Sequence, residues 1–579
     1  MQLNKLDKIN IFASELLAKS ILEMYHPVKL GERSLTEVGF RYSFKLPDNT
    51  KISSNDFKRI KKYIQKNIDR ALNVSYEKIT KAEANKIFAD NKYKLVEIKN
   101  ALGKSIEIIR IGKDFVDICP DLELKKISKA DLIELTNVSG QYFNSDAGNE
   151  QLVAIEGWTR ENVDDFKEYK KFLIEKNERD HRKIGADLEL FCFDTRIGQG
   201  LPIWLENGTN IKFEIENFCK ELLSENEYKF VQTPVLGTID LYKISGHWNH
   251  YRENMFTPLK VDDEEFVLKP MNCPHHIVTY QQKPHSYREL PYRIAEFGIQ
   301  HRYEASGALT GLERVRQMQL VDTHTILMHS QINSEIKRVY NLIVKAHKVL
   351  GTSIYSVELS LRDPKNKEKF FDNDKMWESA ENQLRAALKS LKIPYKEVIG
   401  EAAFYGPKID MQIKTVLGHI ITVSTIQLDF LLPDRFKLVY IGSTGEKEVP
   451  VFIHAGIIGT FERYLAILLE QTKGVLPLWL SPIQVMFIPI SDKQYEFARK
   501  LQLMMIKNQV RARIDNSDER LSKKIREAQI KKIPYQVVIG DKEVENNTVT
   551  YRQYGKTDEI TISFSEFLKL IKKQIRNKK

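Results

Sequence analysis

Phe297 to Arg316 read FGIQHRYEASGALTGLERVR, and within that run Arg302, Glu304, the Ser306-Gly307 turn and Arg314 follow one another closely. A site that uses ATP needs fixed cations for the phosphates, an acid to position an amino group or a metal, and a flexible turn able to fold over the nucleotide. This stretch holds all three. Spacing alone leaves a second explanation open, because Arg and Glu two apart on a strand also form solvated surface pairs of little energetic consequence.

Outward from this run, Lys269-Pro-Met-Asn-Cys-Pro-His-His276 lies upstream and Asp322-Thr-His324 downstream, in a central block that holds most of the Trp, Cys and His. With 579 residues, 42% hydrophobic and 29% charged, the chain has the makeup of several folded domains, which excludes disorder, collagen and a disulfide scaffold. Cys119, Cys192, Cys219 and Cys273 are far apart without a CxxC pair, so they read as reduced thiols and fit neither a zinc finger nor a thioredoxin site. The N-terminus lacks the apolar core and cleavage site of a secretory signal, so a cytoplasmic location is expected. Gly474 to Ser491 carries no charge, but Pro477, Pro482 and Pro489 interrupt it, which suits a linker running into a buried strand rather than a membrane span.

The net charge is +11, and residues 481–579 hold 21 Lys+Arg against 12 Asp+Glu, which is nine of those eleven charges. A polyanion partner is expected there. The same segment alternates predicted strands (484–490, 511–515, 535–540) with helices (495–507, 520–532, 567–576), the signature of a compact α/β domain. The first 150 residues mix an amphipathic helix through Ile11, Leu16, Leu17 and Ile21 with alternating strands such as Phe40–Phe44, an α+β module. A charged helix over 161–182, with Val163, Phe166, Tyr169 and Leu173 on one face, suits a connector.

Taken together, these segments resemble the threonyl-tRNA synthetases, a family of class II aminoacyl-tRNA synthetases, over nearly the whole chain. Pro234, in VQTPVLGTIDLYKISGHW, matches the first class motif; Phe297–Arg316 matches the second, a strand, loop and strand; Gly459-Thr-Phe-Glu-Arg463 falls in the third. The resemblance implies an α+β multidomain chain. Its parts would be a degenerate editing-like domain at 1–150, a linker helix at 151–182, a class II catalytic domain on an antiparallel sheet at 183–478, and an anticodon-binding domain at 479–579. It implies a homodimer through the region around Pro234, with tRNA(Thr), ATP accompanied by Mg²⁺, and L-threonine as partners. The reaction would be a threonine–tRNA ligation through threonyl-adenylate.

By the same resemblance, Arg302 would hold the α-phosphate, Arg463 would stack on the adenine, Glu304 would read the adenine, Arg314 the γ-phosphate, and Gln427 would complete the ATP contacts. Planar, permanently charged guanidinium suits such work better than ammonium. Asp322, Tyr405, Lys408 and Thr425 would contact threonine. Cys273, His324 and His454 each have an ordinary explanation as a buried thiol or a core histidine, yet together they match the family's Zn²⁺ site, with thiolate and imidazole ligands and an open position. A metal that demands a hydroxyl separates threonine from isosteric valine far better than pocket size does, whereas serine differs by one methyl, worth only about 1–3 kcal/mol. Leu320 and Thr422 stand where bacterial members usually carry glutamine.

At the N-terminus the histidines of the family's editing site are replaced. Ile11, Glu15, Cys119 and Glu123 occupy its positions, and no imidazole is left there to orient water. A silent scaffold is therefore expected rather than a hydrolase working through Glu15 and Glu123. The small module that precedes this domain in many bacterial members is expected to be absent. In the C-terminal domain Arg526, Glu543 and Arg552 match anticodon contacts and Asp518 replaces a partner asparagine, while Lys572, Lys573, Arg576, Lys578 and Lys579 suit a solvated helix face and tail. A catalytically silent tRNA-binding paralogue would have lost Arg302, Arg463 or a zinc ligand, and none is lost.

Overall fold

The computed structural model describes residues 3–119, 127, 129–146 and 148–578, which divide into two compact units, Met1–Glu175 and Lys176–Lys579. The first unit opens with the helix Lys5–Met24, started by a capping box between Asn4 and Asp7. It packs on an antiparallel sheet ordered Lys29–Leu35, Phe40–Lys45, Gln151–Thr159, Ile133–Tyr142. The amphipathic pattern predicts one wet face, but every residue from Ile9 to Ile21 is buried. Polar positions survive there because Ser14 and Ser20 donate back to the carbonyls of Ile11 and Leu16 (2.6 and 2.7 Å), and because Glu15 has an ion partner.

The second unit is built on eight strands in the order Lys229–Phe230, Tyr292–His301, Gln317–Leu327, Val451–Thr460, Ile420–Asp429, Lys408–Lys414, Ser356–Leu361, Lys396–Ile399. Only the two edge strands run parallel to their neighbours. The helices Glu206–Ser224, Ile332–Val349, Asp374–Leu391 and Phe461–Thr472 contribute Ile211, Ile336, Leu384 and Leu465 to one core with the sheet's apolar residues. Strand register then sets the functional face. His324 lies opposite His454, His454 opposite Gln427, and Gln427 opposite Lys408. Two residues along, Glu296, Asp322, Gly456, Thr425 and Asp410 form a second row. Directly opposed residues share a face and the side-chain period is two, so both rows project from the same side.

Toward the C-terminus, five strands run in the order Ala512–Ile514, Val485–Pro489, Tyr535–Ile539, Thr548–Gln553, Ile560–Ser563, the first three parallel and the last two antiparallel. The expected α/β alternation is present, with the last helix starting earlier, at Phe564, because Ser563 and Glu566 form its capping box. One expected helix divides in two. The predicted 161–182 segment ends at Arg179, and Asp180 caps a new helix, His181–Asp187, by accepting from Arg182 N. Among the described residues no helix is long and apolar enough to cross a membrane.

Candidate active site

The sheet face carries a cleft of about 350 Å³ lined by Arg302, Glu304, Arg314, Lys408, Gln427 and Arg463, among others. Arg302 directly follows the strand Tyr292–His301 and Arg314 stands just before the strand Gln317–Leu327, while Arg463 sits in the first turn of the helix Phe461–Thr472, whose N-cap Thr460 accepts from Arg463 N. Burial pushes the Arg463 guanidinium below its ordinary value and the charges of Arg302 and Arg314 add to that, so three cations crowd a space that favours an anion. Arg302 Nε is buried without a partner. Arg314 is paired with Glu304 at 2.8 Å. Leu320 and Thr422 also line the cleft, and neither brings an amide to it.

Lys408 is held at 2.7 Å by Asp410, which also accepts from Ser360 Oγ at 2.7 Å. Asp322 accepts from Asn272 Nδ2 at 2.8 Å and Gln300 Nε2 at 3.3 Å, and burial pushes its carboxyl up. Tyr405 stacks on His454 with centroids 4.8 Å apart and donates to Gln427. Thr425 lies beside them, opposite Gly456.

Cys273, His324 and His454, 181 residues apart at the extremes, offer ligand atoms that all lie within 4.8 Å of one another, and all three are buried. The neighbouring shell fixes which nitrogens face inward. Glu296 accepts from His276 Nε2 at 2.9 Å, and His276 Nδ1 in turn accepts from His324 Nδ1 at 2.7 Å, so His324 Nε2 keeps its lone pair. Asp429 does the same for His454, taking Nε2–H at 2.9 Å and leaving Nδ1 open. Those two open nitrogens stand 3.0 Å apart. Two lone pairs facing each other at that distance repel unless a cation lies between them, and two imidazole ligands on one tetrahedral Zn²⁺ would be about 3.3 Å apart. The residues therefore fit the ion. Burial pushes the Cys273 thiol well up and holds the His324 imidazolium well down, which keeps His324 neutral and ready to ligate. Burial would raise Glu296 as well, but hydrogen bonds from His276 and Thr233 N–H and the charge of Lys269 outweigh it and hold that carboxyl at about 2.

His276, Glu296, Asp429 and His247, whose Nε2 lies 3.6 Å from Cys273 Sγ, escape a sequence reading aimed at ligands. Their signal was partial: His276 adjoins the cysteine run, and Asp429 ends the strand bearing Thr425 and Gln427.

The substituted N-terminal positions meet differently. Glu15 is paired with Arg33, which also donates to Ile118 O at 3.2 Å. Asp117 accepts from Tyr42 and lies 2.8 Å from Lys94 Nζ. Glu15, Asp117, Arg33 and Lys94 have side chains 0–9% exposed. Burial pushes Glu15 up, against the pull of Arg33. Ile11 and Cys119 are buried in the same core, and Glu123 lies outside the described residues.

In the C-terminal sheet, Glu543 accepts from Gly540 N and Thr550 Oγ1 (2.8 and 2.7 Å), and Arg552 pairs with Glu559 at 2.7 Å. Thr550 and Arg552 share one face of their strand. Gln536, opposite Arg552, is bonded to Gln529, one helical turn beyond Arg526. Glu543 and Arg552 are thus linked through Thr550's strand face, and the helix Leu521–Ile530 that carries Arg526 is tied to the neighbouring strand, with Asp518 just before that helix.

The family description "tRNA synthetase class II core domain (G, H, P, S and T)" matches residues 256–472, and "Anticodon binding domain" matches 484–574. A threonine–tRNA ligase of Ureaplasma parvum serovar 3 is 49% identical over 575 residues, 99% of each chain. One from Staphylococcus aureus is 46% identical over 569 residues, 98% of this chain and 88% of the relative. The crystal structure of the RNA binding domain of a threonyl-tRNA synthetase from Cryptosporidium parvum superposes with a TM-score of 0.65 at 36% identity, covering 68% of this chain and 98% of that one.

Proposed function

This chain belongs to the threonine–tRNA ligases, and from that premise we propose how its residues divide the work. The protein activates threonine with ATP, which enters with Mg²⁺, and charges tRNA with it; nothing in the relatives favours a silent paralogue. Threonine's carboxylate attacks the α-phosphate and pyrophosphate leaves; the terminal ribose hydroxyl of the tRNA then takes the acyl group and AMP leaves. Catalysis is positioning and charge stabilisation. Arg302 and Arg463 hold the α-phosphate and adenine. Arg314 releases Glu304 and turns to the γ-phosphate, which frees Glu304 for the adenine. Gln427 completes the ATP contacts. Asp322, steadied by Asn272 and Gln300, accepts a hydrogen bond from the substrate amino group, with Tyr405, Lys408 and Thr425 around the rest of threonine.

Cys273, His324 and His454 would hold Zn²⁺, which when bound would supply a Lewis-acid centre able to take an amino group and a hydroxyl. The single observation that carries this reading is the pair of lone-pair nitrogens of His324 and His454 directed at each other beside Cys273. Threonine-, serine- and valine-dependent pyrophosphate exchange, run beside a zinc count, tests it: one zinc per chain with valine rejected is expected, and zinc-free protein that still exchanges with threonine overturns it.

We assign no hydrolytic editing to the N-terminal unit, because its Ile11, Glu15 and Cys119 positions support no water-orienting imidazole. Rapid deacylation of seryl-tRNA(Thr) by the purified protein would refute this. A domain division at 1–150, 151–182, 183–478 and 479–579 and a cytoplasmic location complete the reading. Dimerisation through the Pro234 region is supported by exposed Val235, Leu236, Leu259 and Val261 on and beside one small sheet. Arg526, Glu543 and Arg552 would read the anticodon loop, where the excess of positive charge lies.

A further inference from the structure

We propose that His181 is a positioning residue for the ATP-facing loop, fixing the backbone that delivers Arg314; this rests on the assignment of Arg314 to the γ-phosphate. His181 lies more than a hundred residues before the loop and is 3% exposed. Its Nε2 accepts from Leu312 N at 3.1 Å, and its Nδ1 lies 2.8 Å from Glu470 Oε1. Only a ring nitrogen without a proton can accept from an amide, so Nδ1 carries the hydrogen and donates it to Glu470. The carboxylate thereby orients the ring, and the ring holds the loop.

The grip has a second point on the same helix, since Arg463 Nε donates to Glu313 O at 3.2 Å. Two consecutive loop residues are thus tied to the helix Phe461–Thr472, immediately before Arg314. Gly311 makes the approach possible: its φ is +46°, and a Cβ there would come 2.1 Å from His181 Nε2. Arg179 donates to the carbonyls of Glu470 and Gln471 at 2.7 and 2.9 Å, which fixes the end of the helix that carries Glu470. His181, Glu313 and Glu470 also come close enough to hold a metal, but both ring nitrogens are already engaged, so the hydrogen-bonded role is the one the geometry fits.

The test compares full-length zinc-loaded wild type with His181→Phe, His181→Gln and Arg314→Ala in pyrophosphate exchange, varying ATP and threonine separately. His181→Phe leaves the Leu312 amide buried without an acceptor and is expected to raise the KM for ATP about tenfold while the KM for threonine stays within about twofold. Glutamine can both accept and donate, so His181→Gln should recover most of the loss. A purely structural role would lower the melting temperature without moving the ATP KM selectively. An unchanged ATP KM in His181→Phe, or an equal rise in both KM values, overturns the proposal. If Arg314→Ala leaves the ATP KM unchanged, the phosphate assignment itself fails; if only Arg314→Ala raises it, the failure belongs to His181 alone. Should His181→Phe not fold, Glu470→Leu, which keeps the ring but removes its orienting acceptor, must raise the ATP KM several-fold, and no rise there is equally fatal.

Discussion

Two buried polar clusters, one in each compact unit, use similar residue types to opposite ends. In the second unit Cys273, His324 and His454 bring three neutral donors together, and the carboxylates of Glu296 and Asp429 are spent on the outer nitrogens of the shell. The inner nitrogens face each other with nothing to accept from. In the first unit Glu15 and Asp117 meet Arg33 and Lys94, and Lys94 also reaches Glu97, so the buried carboxyl groups face cations rather than open lone pairs. Burial makes an unmatched group expensive in both places. An arrangement that leaves matched lone pairs open is built to receive an ion, and one that closes on itself is built to stay shut.

That contrast can be broken most forcefully at the metal side. Cys273→Ser is expected to remove zinc and to cut threonine-dependent pyrophosphate exchange by about 10⁴-fold, since one of three ligands goes and the open position with it. Retention of one zinc per chain with near-normal exchange would erase the distinction. In the first unit, Arg33→Met strands Glu15 in the core and should cost about 3–5 kcal/mol. An earlier first transition in urea unfolding of the full chain reads this, and the exchange activity should stay within about twofold.

Smaller changes sharpen the comparison. His276→Phe removes the partner that fixes the His324 tautomer and is expected to weaken zinc binding by about 10–100-fold in competition with a chelator, leaving the fold intact. Cys119→Ala should leave the rate of seryl-tRNA(Thr) hydrolysis unchanged, and a measurable drop would show that the closed cluster does chemistry.

Much of the molecule is legible in the residue pattern itself. The alternation of strands and helices after residue 483 specified the C-terminal α/β domain, because period-two and period-3.6 patterns leave direct marks on a chain. Arg302, Glu304 and Arg314 were visible since they share one hairpin. His181, His276, Glu296 and Asp429 were not, because their roles come from partners 20 to 289 residues away. The buried course of the first helix was also hidden, since Ser14 and Glu15 look like a wet face until their partners are in place.

By itself the sequence determined the donor types, the isoleucine and carboxylate at Ile11 and Glu15, and the placement of positive charge at the C-terminus, all properties that individual residues carry wherever the chain goes. Only the tertiary structure decided that His324 and His454 turn lone pairs toward each other while Glu15 closes on Arg33. Strand register and packing bring distant residues within hydrogen-bond range, and at that range the number of available protons and charges determines whether a cluster is open or complete.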